Sequence, residues 1–224
     1  IMAGQKKGEI TKRKIIESSK KLFYTKGYNK TLMQNIADDA EIALGTLTYH
    51  YSKKESIAST ILYNYITNIN TYIDQHSESN LNAFQTHFIA SIPYYKNLLE
   101  DQHSRQFYCE VIMSETLYSG DVTEDPLALF FKGMKAQCLR DYRIPKMGYQ
   151  LELASIFEVG GRNRLIKKYT EGKLKNISIE NIANYLSSNM GKLLHIPEDE
   201  IIASQELALQ FNNEHDLSQI HALL

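Results

Sequence analysis

Apolar residues recur at three- and four-residue steps along almost the whole chain, the period of helices that bury one stripe. Ile15, Ile16, Ser19, Leu22 and Phe23 form the first stripe, and Lys26-Gly27 closes it with a basic turn and a residue free to adopt positive φ. Thr31 then offers its hydroxyl as N-cap to a short helix with Met33, Ile36 and Ala37 inward. A third helix is predicted at about 43–49. The fourth begins near Lys53 and carries the longest stripe, Ile57, Ile61, Leu62, Tyr65, Ile66, Ile69, Tyr72 and Ile73. Six further helices are predicted near 80–98, 103–118, 126–143, 146–171, 178–194 and 197–213. No stretch keeps a two-residue alternation, so no strand is predicted. The reading is all-α: a three-helix head over 1–58 joined by the fourth helix to a larger helical body over 59–224.

Composition narrows the classes. A chain of 224 residues buries a sizeable core, and four Pro and eleven Gly are too few for a disordered or collagen-like chain. No apolar run approaches the roughly 20 residues of a membrane helix, so no membrane partner is expected. The first seven residues lack the apolar centre of a signal peptide, which points to the cytoplasm. Two cysteines, Cys109 and Cys138, exclude a disulfide framework and a four-Cys zinc site, and are expected to be buried reduced thiols. The net charge of −1 hides an asymmetry: residues 1–58 balance at +5 and residues 59–224 at −6. A basic head on an acidic body suggests that only the head meets a polyanion.

Only Ala40-Glu41-Ile42 separates the second and third helices. Two short helices joined so tightly cross steeply, and the second can enter a DNA major groove. Ile36, Ala37, Ile42, Leu47 and Tyr51 suffice for a small core behind it. Leu44, Gly45, Thr46, Thr48, Tyr49 and His50 are left facing outward. Small residues allow close approach, and hydroxyls and imidazole bond phosphates or base edges.

The stretch from Leu32 to Ile57 resembles the DNA-binding head of the TetR (tetracycline-repressor-like) transcriptional regulators. The match rests on Ile36-Ala37, Gly45-Thr46-Leu47, the aromatic Tyr51 and Lys54-Glu55 opening a helix, preceded by Leu22-Phe23 and Lys26-Gly27-Tyr28. It covers roughly residues 10–58. The resemblance implies Thr31, Tyr49, His50 and Lys54 as DNA-backbone contacts, and Leu44, Gly45, Thr46 and Thr48 on or near base edges. Lys54 also stands in the first turn of a helix, where the positive dipole end favours phosphate. The chain departs from the family at Glu41, where glycine is usual in the tight turn. It departs again at Ala43, where a hydroxyl residue usually caps, at Leu44, often polar or basic, and at Thr48, often Tyr.

The resemblance further implies a homodimer built through two late helices into a four-helix bundle. Leu151, Ala154 and Val159 share one side of the first with Ser155, Glu158 and Arg162, beside Gly160-Gly161, and Ile182, Tyr185, Leu186 and Met190 line the second. In the aromatic middle helices, Phe84, His87, Phe107, Tyr108, Met113 and Phe130 are candidates to line a site for a small aromatic or lipophilic effector. Pro93 is expected to kink or end its helix and leave room there. No paired metal spacing, phosphate loop or nucleophile elbow is present, so no enzyme, metal or cofactor is predicted. The expected function is an operator-binding regulator, a repressor released by a small organic ligand. The alternative is a DNA-bound structural protein of the same fold without an effector, which would have a filled body.

Overall fold

The computed structural model describes residues 2–77, 80–113, 126–145, 148–217, 220 and 223–224. Every regular element among them is a helix: α1 (Met2–Lys26), α2 (Met33–Asp39), α3 (Leu44–His50), α4 (Lys54–His76), α5 (Ala83–Glu100), α6 (Gln102–Met113), α7 (Pro126–Asp141), α8 (Tyr149–Thr170), α9 (Ile179–Leu193) and α10 (Glu198–Glu214). The break expected at Ser119-Gly120-Asp121 lies outside the described residues.

Helix ends follow local chemistry. Gly27 takes φ +85° after α1. Asn82 caps α5 by accepting from the backbone N–H groups of Phe84 and Gln85, and Ser178 caps α9 by accepting from Asn181 N. Inside the head, Ile15, Phe23, Ile36, Ala37, Leu47 and Ile57 are fully buried and hold α1–α4 together. A 2.6 Å ion pair between Lys21 and Asp39 adds a link from α1 to α2.

In the body, α5 is central, packed against α4, α6, α7, α9 and α10. Gly191 lets α9 approach it: a Cβ there would stand 2.7 Å from Phe84 Cζ and 3.0 Å from Ile201. Pro93 does not end its helix, and α5 runs through it. Proline has no N–H for the carbonyl of Ile89. Asn212 of α10 replaces that donor, its amide Nδ2 lying 3.2 Å from Ile89 O. The helix therefore continues where its own ladder is broken.

Head and body meet along α1 and α6. The Phe107 ring stacks on Phe23 at 5.4 Å and meets the edge of Tyr28 at 6.0 Å. Asn29 N donates to Glu110 Oε2 at 2.8 Å. Together with the continuous α4, these contacts tie the orientation of the head to the body.

Candidate functional site

α3 has one inward residue, Leu47, which is fully buried. Helical geometry then turns the rest of the helix away from the core. Leu44, Gly45, Thr46 and Thr48 are exposed, and Tyr49 is 85% exposed. A Cβ added at Gly45 would meet nothing, so another molecule can come up to the backbone there. Thr48 Oγ1 donates to Gly45 O at 3.2 Å, and the half-buried His50 meets Tyr49 edge-on at 5.2 Å. The face left over by core packing is thus small, hydroxylated and aromatic. Ala43 stands at the N-cap of α3 with no side-chain bond. Glu41 adopts φ +54°, a conformation that costs a residue with a Cβ and costs glycine nothing.

Thr31 and Lys54 do other work. Thr31 is fully buried and does not cap α2, whose N-cap is Leu32. Its hydroxyl donates back to Gly27 O at 2.8 Å and Leu22 O at 3.4 Å, closing the end of α1. Lys54 Nζ donates to Tyr28 O at 2.7 Å and Thr31 O at 2.9 Å, and lies 4.2 Å from the centre of the Tyr28 ring. Burial lowers its pKa, partly offset by Glu55 and Glu110. Its ammonium fastens the start of α4 to the loop between α1 and α2.

The expected ligand residues separate into core and cavity. Phe84, Phe107 and Tyr108 are almost wholly buried between packed helices, because three large rings on tightly opposed faces fill the space they could have lined. The side chain of Met113 lies outside the described residues. His87 and Phe130 do line a cavity of about 600 Å³, shared by α4, α5 and α7. A larger cleft of about 1850 Å³ opens between α1, α4, α7 and α8. Its inner wall carries charge. Lys135 Nζ donates to Glu158 Oε2 and to Ser155 Oγ, both at 3.1 Å, and Arg162 Nη1 donates to Glu158 Oε1 at 3.3 Å. Burial raises the pKa of Glu158, but Arg162 and Lys135 outweigh it and hold the carboxyl below its usual range. Burial pushes the imidazole of His87 down to about 4, with Glu158 opposing and Lys135 and Arg162 reinforcing the shift. Sequence reasoning missed Lys135. The available signal was a lysine on the inward side of α7, beside the stripe formed by Leu127, Phe131, Cys138 and Leu139.

The stripe on α8 expected to meet a second copy is the inward one. Leu151, Ala154 and Val159 are half-buried, and Arg162 and Ile166 beyond them are buried. The outward stripe is also apolar: Tyr149 is 73% exposed, Leu153 49%, Ile156 62% and Phe157 74%. Ile182, Leu186 and Met190 of α9 pack into their own fold, leaving Tyr185 exposed. A helix apolar on two sides has no periodic signal to say which side faces home.

Among the described residues no three His, Cys, Asp or Glu side chains are placed to hold a metal ion, and no helix is long and apolar enough to cross a membrane. Residues 15–61 match the family model for bacterial regulatory proteins of the tetR family. No curated protein matches the sequence. The fold is similar to that of a TetR transcriptional regulator from Rhodococcus sp. RHA1, with a TM-score of 0.57 at 16% identity over 83% of this chain and 97% of that one. RolR, solved in complex with resorcinol, gives 0.53 at 16% identity over 97% and 100%. TylP, a TetR regulator from Streptomyces fradiae, gives 0.50 at 15% over 92% and 93%. The head, over residues 15–61, thus matches the tetR-family model, and the chain as a whole has a helical fold similar to that of solved TetR regulators.

Proposed function

We propose that the protein binds a specific operator as a homodimer, represses from it, and leaves it when a small organic ligand enters the body. The observation that carries this reading is the outward face of α3, where Leu44, Gly45, Thr46, Thr48 and Tyr49 are freed from core packing. An effector is favoured over the purely structural alternative by the open cleft of about 1850 Å³ between α1, α4, α7 and α8. RolR, of similar fold, holds resorcinol. For the dimer face, the outer stripe of α8, Tyr149, Leu153, Ile156 and Phe157, is the better candidate, being large, apolar and exposed.

Selection of bound duplexes from a random pool tests the reading. The expected product is a palindrome whose half-sites are centred about one helical turn, 34–36 Å, apart. Affinity for it should fall steeply with salt as phosphate contacts release counterions. Thr48→Ala should change the preferred base at one position of each half-site. A pool that enriches no sequence at low salt overturns the proposal.

A further inference from the structure

Two histidines, distant in sequence, stand together and share one local arrangement. His76 is the last residue of α4, and His215 is the C-cap of α10. Each ring lies nearly flat on the aromatic ring one turn earlier, His76 on Tyr72 at 4.0 Å and His215 on Phe211 at 4.1 Å. Each Nδ1 also meets the carbonyl of that same residue, 2.8 Å from Tyr72 O and 2.9 Å from Phe211 O. A carbonyl only accepts, so Nδ1 carries the proton in both rings. The lone pair of the neutral ring is then on Nε2, and neither Nε2 has a partner among the described residues.

Tertiary packing brings the two rings together. Their centroids are 5.9 Å apart with planes at 79°. Tyr72 Oη donates to Asp216 O at 2.9 Å across the same junction. A bond from metal to imidazole nitrogen is about 2.0–2.1 Å long, so two rings on one ion can have centroids up to about 6.5 Å apart. Both rings stand at helix C-termini, where the macrodipole favours positive charge. A histidine that ligates a metal almost always gives its other N–H to a carbonyl, carboxylate or water, and both rings already do so. His76 is exposed and His215 half-buried, which leaves an ion a path from solvent.

We propose that His76 and His215 bind a divalent transition metal ion, each ligating through Nε2, with water or an outside ligand completing the coordination. The site needs only these two side chains, and so differs from the three-residue arrangement that is absent among the described residues. Imidazole suits zinc, copper and nickel, whereas magnesium and calcium take oxygen ligands. An ion held there fastens the far end of α4, the helix that begins in the head, to α10.

Calorimetry on the full chain with zinc chloride, against magnesium chloride, tests this. Zinc should bind, and should raise the thermal midpoint as its concentration rises, because an ion held by the folded chain stabilises it. Magnesium should do neither. His76→Phe and His215→Phe keep a ring for Tyr72 or Phe211 to stack on and remove the ligating nitrogen. Each should lower affinity at the tightest zinc site at least tenfold and abolish the thermal shift. The exposure of His76 makes its variant safe for the fold, and its metal-free midpoint should match that of the parent. Absence of zinc binding, equal response to magnesium, or a zinc affinity that survives His76→Phe overturns the proposal.

Discussion

Glu41 shows how one residue can store strain at a functional turn. Its φ of +54° places a Cβ in the left-handed region between α2 and α3. Glu41→Gly should stabilise the protein by about 1 kcal/mol, the left-handed penalty less the extra freedom of glycine in the unfolded chain. Glu41→Ala keeps the Cβ and should gain much less. Urea unfolding of the two variants separates backbone strain from loss of the carboxylate, and equal gains would place the effect in the charge. The sequence already marked this position as unusual, and the outward residues of α3 were legible too, because Leu47 alone has a core to fill. Thr31 and Lys54 were not legible. Their partners are backbone carbonyls of the α1–α2 loop, and backbone groups leave no trace in residue identities.

At the scale of the element, the helices themselves were nearly all legible, since a 3.6-residue period, Gly27 and the caps at Asn82 and Ser178 are local facts. Sidedness was legible only where one face is polar. On α8 both faces are apolar, so the inward residues could equally have met a second copy. In the single chain Tyr149, Leu153, Ile156 and Phe157 form the exposed side, which yields a test. Phe157→Glu puts a charge on the exposed stripe and should give a folded monomer by sedimentation. Leu186→Glu buries a charge within α9 and should cost several kcal/mol, unfolding the chain before it dissociates. A dimeric Phe157→Glu protein would move the interface elsewhere. Pro93 was misleading for a related reason: the donor that rescues Ile89 O comes from a residue far along the chain, in α10.

At the scale of the whole molecule, the charged cluster ties stability to pH. His87 titrates near 6.5 when unfolded and near 4 when folded. Its contribution is therefore fully present above pH 6.5 and is lost as pH falls from 6.5 towards 4, where the unfolded chain binds the proton first. With His87 on a cavity wall, the loss should be about 1–3 kcal/mol. His87→Gln should flatten the decline of thermal stability between pH 7 and pH 4. An unchanged decline would assign it to other groups. The cluster was the least legible feature of the sequence, because Lys135, Glu158 and His87 come from three helices and meet only through tertiary packing.

The Asn212 bond to Ile89 has a consequence for how the protein is made. The three helices of the head and the start of α4 find the partners of the head's own core, Ile15, Phe23, Ile36, Leu47 and Ile57, within the first third of the chain. The fifth helix does not, for its missing donor and much of its packing belong to α9 and α10. On the ribosome, synthesis runs from head to tail, so the DNA-reading part has its core partners while the fifth helix still lacks its donor. A nascent chain held before residue 212 would thus carry a packed head on a body whose central helix is still incomplete.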